Sequence, residues 1–272
     1  MDFKDRYGPW AIIAGASEGI GRSFALQIAA QGVPCILIAN GGPLKEVAAQ
    51  VRAESGVECI TATIDLSAQN ALDLIIGAVG PREIGLYVSN AGGDTGIETF
   101  LDGDLAAWLR LTNVNVMTTV RASYHFGRLM KERGRGGILT VNSGACYGGS
   151  SYLTMYTACK AFLLNFSEGL WAETHPFGVD VLSIVLDKTD TPNFRRSLEK
   201  LGQPWPSDVA SPDDVARSGL AHLPHGPIHN FGMADNEPGA GWASANDRRE
   251  RVARISAATQ QLFGKVAAGS LP

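Results

Sequence analysis

Ser143, Tyr156 and Lys160 are the residues of this chain whose types and spacing best suit proton transfer. They fall in one stretch, Ser143-Gly-Ala-Cys-Tyr-Gly-Gly-Ser-Ser-Tyr-Leu-Thr-Met-Tyr156-Thr-Ala-Cys-Lys160. Tyr156 and Lys160 are four residues apart, so a helix sets them on one face. A phenol with its ordinary pKa of roughly 10 is a poor base near neutrality. A neighbouring ammonium favours the phenolate and brings that value down. Ser143 directly follows the apolar run Ile138-Leu-Thr-Val-Asn142, which reads as a strand. Its hydroxyl then stands at a strand's C-terminal end, where open α/β sheets bind ligands. The stretch can thus supply a proton-transferring tyrosine, a lysine that tunes it and a serine that holds a carbonyl or hydroxyl oxygen. Taken alone, Tyr-x-x-x-Lys is also the pattern of an ordinary amphipathic helix. The serine, and a glycine-rich turn earlier in the chain, weigh towards chemistry.

That turn follows a short apolar strand at 10–14 and precedes the helical pattern Phe24, Leu26, Ile28, Ala29. It reads Gly15-Ala-Ser17-Glu18-Gly19-Ile20-Gly21. Glycines allow a sharp turn and a close approach to a pyrophosphate, and the amides of the helix N-terminus face its phosphates. Further strands are expected at 35–39, 57–63, 84–88, 137–142, 179–186 and 227–231. Helices are expected at 44–53, 71–78, 105–130, 151–173, 209–223 and 247–263. The helical stretch 105–130 is interrupted by Asn113-Val-Asn115, because polar asparagines inside an apolar helix need partners. Strands that alternate with helices predict a doubly wound parallel sheet.

Together, Gly15-x-x-x-Gly19-x-Gly21, Asp65-Leu66, Asn90-Ala91-Gly92, Asn115, Ser143 and Tyr156-x-x-x-Lys160 resemble the short-chain dehydrogenase/reductase family over residues 8–195. The likeness is greatest to its hydroxysteroid dehydrogenase and 3-oxoacyl-thioester reductase branch, including bacterial 7β-hydroxysteroid dehydrogenases. The resemblance implies a single Rossmann-type domain over 1–272 with about seven strands, and an NAD(H)- or NADP(H)-dependent oxidoreductase. Such an enzyme interconverts a secondary alcohol and a ketone. In that reading Tyr156 is the acid/base, Lys160 tunes it and binds the nicotinamide ribose, and Ser143 holds the substrate oxygen. Asn115 distorts its helix and completes a proton relay. Gly15, Ser17, Glu18, Gly19, Ile20 and Gly21 face the phosphates, and Asp65 and Leu66 lie against the adenine. Asn90, Ala91 and Gly92 line the nicotinamide ribose, and Thr189 and Thr191 contact the carboxamide or phosphates. The apolar stripe Phe162, Leu163, Phe166, Leu170, Trp171 reads as core, and the family also implies a homodimer or homotetramer in which the helix that carries it and the helix from residue 105 pack across a subunit interface.

The chain departs from the pattern in places. Ala14 stands where a threonine is usual, and Ser89 where a second asparagine is. Asn40-Gly41-Gly42 ends the second strand with neither the acid that binds a ribose 2′-hydroxyl nor the arginine that accommodates a 2′-phosphate. Asn40, the glycine amides or Arg22 remain to recognise that position, so the choice of nucleotide stays open. Leu186-Asp187 replaces the usual Pro-Gly. These departures also leave room for a dinucleotide-binding regulator with little turnover. The intact Asn115, Ser143, Tyr156 and Lys160 weigh against it, since a binder needs no tuned phenol.

An apolar pocket is expected from Tyr147, Tyr152, Leu153 and Met155, under an irregular flap at about 187–210 that includes Phe194, Leu198, Leu201 and Trp205. Such a pocket suits a steroid, aromatic or acyl-type substrate. A helical extension at about 245–265 follows. The composition is that of one globular domain: 272 residues, 45% hydrophobic and 18% charged. A net charge of −4 leaves no basic footprint for nucleic acid. The four cysteines, Cys35, Cys59, Cys146 and Cys159, and the histidines His225 and His229 show no metal-ligand spacing, so no metal is expected. The N-terminal residues carry no apolar signal core and no run reaches the length of a membrane span, which predicts a soluble cytoplasmic protein.

Overall fold

In a computed structural model of the protein, the residues described are 2–93, 98–150, 152–232 and 249–250. They begin with a short helix α1 (Phe3–Tyr7) and continue as alternating strands and helices: β1 (Trp10–Ala14), α2 (Gly19–Ala30), β2 (Cys35–Ala39), α3 (Leu44–Ser55), β3 (Cys59–Thr63), α4 (Ala71–Val79) and β4 (Ile84–Ser89). There follow α5 (Leu105–Thr112), α6 (Thr118–Arg133), β5 (Gly136–Ser143), α7 (Thr154–Thr174), β6 (Val179–Leu186), α8 (Pro192–Lys200), α9 (Pro212–His222) and β7 (Ile228–Phe231). The strands form one seven-stranded sheet in the order β3-β2-β1-β4-β5-β6-β7, and every pairing is parallel.

Helices cover both faces of this sheet, which is why its strands are apolar without alternation. The pleat sorts them. Ala11, Ile13, Leu37, Leu139 and Leu182 pack with α2, α3 and α9 on one face. Ile12, Ile36, Ile38, Tyr87 and Ile138 pack with α4, α6 and Trp171 on the other. The strand order runs outward from β1 to β3 on one side and from β4 to β7 on the other. Between β1 and β4 the helices change faces, and a crevice opens at the strands' C-terminal ends.

The strands Trp10–Ala14, Cys35–Ala39 and Val179–Leu186 have the expected bounds. Other elements differ for visible reasons. Helix α3 continues to Ser55 because Gly56 ends it in the left-handed region, at φ 71°. The following strand therefore starts at Cys59 and not at residue 57. The expected irregular flap is partly helical: the Thr191 hydroxyl caps α8 by accepting from the Phe194 amide at 3.2 Å, and Pro192 opens its first turn. Helix α9 is entered through Ser211, whose hydroxyl accepts from the Asp213 amide at 3.2 Å. The helix expected at 247–263 lies almost entirely outside the described residues. Among the described residues, no helix is long and apolar enough to cross a membrane.

At the edge opposite the crevice, Asp180 of β6 is 2% exposed. It accepts a hydrogen bond from the Tyr7 hydroxyl at 2.7 Å and pairs with Arg6 at 2.7 and 2.8 Å. Burial first, and then the Asp180 charge, push the Tyr7 phenol far above its ordinary pKa, so it stays a donor. The cluster pins α1 beneath the sheet. Tyr7→Phe removes one hydrogen bond to a buried charge and is expected to lower stability by about 1–3 kcal/mol. Urea unfolding should show a lower midpoint with an unchanged slope; an unchanged midpoint would leave the anchoring to Arg6 alone.

Candidate active site

Four strand ends and three helices meet around a cavity of about 860 Å³ on the crevice side. Gly15, Ser17, Glu18, Gly19 and Ile20 line one wall, Asn90, Ala91 and Gly92 the next, and Ser143, Tyr156 and Lys160 the third. Thr189 and Thr191 close it from beyond β6.

The glycine turn shows why those positions lack side chains. A Cβ on Gly15, where φ is +82°, would lie 2.7 Å from the Ala91 backbone. A Cβ on Gly21 would run into the Gly15 carbonyl oxygen. Gly21 thus lies behind the turn and does not line the cavity. Asn90 fastens the two loops by donating through Nδ2 to the Gly15 carbonyl at 2.7 Å. Glu18 is the N-cap residue of α2 but makes no capping hydrogen bond with its side chain. The first-turn amides of α2 are therefore uncapped beside the cavity, the arrangement that suits an anionic phosphate. The Glu18 carboxylate pairs instead with the Arg196 guanidinium of α8, one of its contacts being 3.1 Å.

Tyr156 and Lys160 share a face of α7, with Lys160 Nζ 5.6 Å from the Tyr156 ring centroid. The lysine is 5% exposed and donates to the Val141 carbonyl at 3.0 Å. Burial, partly opposed by Cys159 and Cys146, pushes its pKa down to about 8. An ammonium has three donors, so two remain for other partners. Asn142, for which the sequence reading gave no role, secures this region. Its Nδ2 donates to the Lys160 carbonyl at 3.1 Å and to Ser183 Oγ at 3.2 Å, while its Oδ1 accepts from the Ser143 amide at 2.8 Å. The signal in the sequence is a carboxamide inside a buried strand. The Ser143 hydroxyl accepts from the Ala145 amide at 3.3 Å, which leaves its proton to donate.

Asn115 lies behind Gly92 and not in the cavity wall. It sits in a π-helical turn, Asn113–Met117, that joins α5 to α6, which matches the interruption expected there. Its Nδ2 donates to the Leu111 carbonyl at 3.0 Å, competing with the main chain for that acceptor. Asn115 is 1% exposed, and among the described residues its Oδ1 has no hydrogen-bond partner. A Cβ on Gly92 would collide with that oxygen.

Other expected residues stand apart from the cavity. Asn40 follows β2 and is exposed, and the Arg22 guanidinium donates to Gln50 Oε1 at 3.1 and 2.7 Å. The Asp65 carboxylate accepts from the Ser67 amide at 2.9 Å and its hydroxyl at 2.7 Å, which holds its pKa below the usual range. The Leu66 carbonyl accepts from Thr118 Oγ1 at 2.6 Å. Asn40 and Asp65 prolong the row of strand ends away from the cavity. Of the expected apolar pocket, Leu153, Phe194, Leu198 and Leu201 line the cavity, joined by Asn193 and Ser197. Tyr147, Tyr152 and Met155 do not. Tyr147 packs against Cys146, Leu164, Val185 and Ile228, and donates to Asn230 Oδ1 at 2.6 Å. Tyr152 is exposed.

The family model for short chain dehydrogenase matches residues 9–202. The chain is 28% identical to a 7β-hydroxysteroid dehydrogenase of Clostridium sardiniense, over 94% of this chain and 97% of that protein. It is 30% identical to the human very-long-chain 3-oxoacyl-CoA reductase, over 78% of this chain and 68% of that protein. Its fold is similar to a structure solved in a study of 7β-hydroxysteroid dehydrogenase stereoselectivity, with a TM-score of 0.80 and 24% identity over 93% of this chain and 99% of the other.

The buried lysine has a signature in stability. Its pKa of about 8 lies below the ordinary 10.5, so between those values the unfolded chain binds more protons than the folded one. Stability attributable to Lys160 therefore rises with pH from about 8 to 10.5, by on the order of 3 kcal/mol. Below that window the fold carries a buried ammonium at full cost. Lys160→Met should be relieved of it, so the difference between wild-type and variant unfolding free energies should shrink as pH rises through the window. Parallel curves would mean that the ammonium is not desolvated.

Proposed function

Given that the chain belongs to the short-chain dehydrogenases, we propose that this oxidoreductase interconverts a secondary alcohol and a ketone on a hydrophobic substrate, with NAD(H) or NADP(H) as hydride carrier. The single observation that carries this reading is that Ser143, Tyr156 and Lys160 face the same cavity as the glycine turn. The residues present suit the dinucleotide: uncapped amides at the α2 N-terminus for its phosphates, and glycines where a Cβ would collide. Bound there, the dinucleotide supplies or accepts the hydride.

The remaining steps belong to this chain. Ser143 donates its hydroxyl proton to the substrate oxygen and orients it. Tyr156 takes the alcohol proton in oxidation and returns it in reduction. Lys160, protonated below about pH 8, holds the tyrosine's pKa down and offers its remaining donors to the ribose. The Asn115 side-chain oxygen Oδ1 lies beside Gly92, where it can hold a water that passes protons outward. Asn90, Ala91 and Gly92 are assigned to the ribose side, and Thr189 and Thr191 to the carboxamide. Asn40, Asp65 and Leu66 are assigned to the adenosine end. Asn40 itself carries no charge that would oppose a 2′-phosphate. Leu153, Phe194, Leu198 and Leu201 favour an apolar substrate such as a steroid, aromatic or acyl-type ketone.

Tyr156→Phe should lower kcat by roughly 10²–10⁴ while sparing NADH or NADPH binding measured by fluorescence titration. Turnover that survives the substitution would refute the tyrosine's role. Wild-type protein that binds either nucleotide but turns over no ketone would favour the regulator.

The subunit interface is assigned to α5, α6 and α7. Leu105, Leu109, Tyr124 and Phe162 are exposed there at 63, 56, 69 and 44%. Helix α5 packs beside α7, and Phe162 stacks on Phe166 with ring centroids 5.8 Å apart. Such an apolar face is typical of a homo-oligomer contact. In sedimentation, wild type should run as a dimer or tetramer, and the double substitution of Leu109 and Phe162 by Glu should shift it to monomer. A monomeric wild type would rule the interface out.

A further inference from the structure

We propose that Asp187 selects the substrate: its carboxylate favours ketones and alcohols that carry a positively charged nitrogen about two bonds from the reacting carbon, and disfavours those with an anion there. This rests on the oxidoreductase reading above.

Asp187 is the first residue beyond β6, and the register of the sheet brings it to the reacting centre. Strand β5 pairs with β6 so that Ser143 stands opposite Leu186. With neighbouring strands roughly 4.8 Å apart and about 3.3 Å per residue, the Asp187 Cα lies about 6 Å from that of Ser143. Asp187 lines the cavity and its side chain is exposed.

The other charged residues lining the cavity are already committed. Glu18 pairs with Arg196. Lys188 donates to Asp208 at 2.6 Å. The Lys160 ammonium is buried and donates to the Val141 carbonyl. Lys188, the cation adjacent in sequence, feels the Asp187 charge but gives its hydrogen bond to Asp208. Among the described residues, no hydrogen bond or close ion pair engages the Asp187 carboxylate, which leaves its oxygens open beside the hydroxyl that would hold the substrate oxygen. Around it the wall is neutral, with Leu153, Phe194 and Leu198 for apolar bulk and Asn193 and Ser197 for hydrogen bonds. Such a site complements a compact cation joined to an apolar body, and repels a carboxylate at the same place.

The test uses three ketones built on one phenyl ketone frame: the phenacyltrimethylammonium cation, neopentyl phenyl ketone as its neutral carbon isostere, and β-benzoylpropionate as the anion. Wild-type protein should favour the cation over the isostere by roughly tenfold in kcat/KM, an exposed charge being screened by solvent. The preference should reside in KM and shrink in high salt. In Asp187→Asn the ratio should fall to near one, and the anion should gain relative to the isostere. Equal ratios in wild type and variant, with the neutral ketone reduced by both, would overturn the proposal alone. No reduction of any of the three, nor oxidation of the matching alcohols, would sink the oxidoreductase reading and this proposal with it.

Discussion

An ammonium enclosed by protein at the end of a parallel sheet is the constraint on which the rest of this site depends. A cation removed from water is tolerated only where oxygens replace its hydration. Here one such oxygen is the Val141 carbonyl, at 3.0 Å. That carbonyl can serve because β5 runs on to Ser143 and is held along its full length by β6. The lysine's position on α7 is fixed in turn by Asn142, which ties the Lys160 carbonyl to the strand and, through its other end, to the Ser143 amide. One buried carboxamide thus sets the spacing between the helix that carries Tyr156 and Lys160 and the strand that carries Ser143.

The same logic applies on the neighbouring strands. A parallel sheet reads one register across all its strands, and slipping one residue turns every side chain to the opposite face. Gly15, Asn90 and Asp187 follow strand ends and Ser143 closes β5, so the register places them in one row above the crevice. The row acquires depth because loops can touch: Gly15 has no Cβ to separate it from Ala91, and Asn90 bridges the gap with its carboxamide. Asn115 approaches from behind, through a helical turn that it helps to distort. Its unpartnered Oδ1 is the kind of local imperfection that a structural helix has no reason to keep.

The sheet was legible because apolar runs between glycines leave few alternatives, and three strands kept their expected ends. The cluster of Ser143, Tyr156 and Lys160 was legible because helical spacing and strand-end position are local properties. What escaped was long-range. Asn142 reads as one polar letter in an apolar strand, and nothing local reveals that it joins residues 18 and 41 positions away. Glu18 and Arg196 are 178 residues apart in sequence, and neither charge identifies its partner. Tyr147 looked like a pocket wall because it is aromatic and close to Ser143 in sequence. The 3₁₀ turn at Gly144–Tyr147 instead directs it towards β7, where Asn230 receives its hydroxyl. Helix α8 was hidden by Pro192, which reads as a breaker until Thr191 is seen to cap the turn it begins.

Helix α8 also joins two parts of the site that the sequence presents as separate. Its entry rests on the glycine turn: a Cβ on Gly19 would lie 3.2 Å from the Thr191 methyl group, and Arg196 reaches back to Glu18. Its inner face supplies Phe194 and Leu198 to the cavity, and Phe194 is backed by Trp205, with ring centroids 5.5 Å apart. The wall assigned to the substrate is therefore footed on the turn assigned to the dinucleotide. The Arg196 end of this pair is exposed, and ion pairs in contact with water hold weakly. A contact of that strength orients α8 without locking it. The two walls therefore share one footing, since the helix whose entry packs on Gly19 is the helix that carries Phe194 and Leu198.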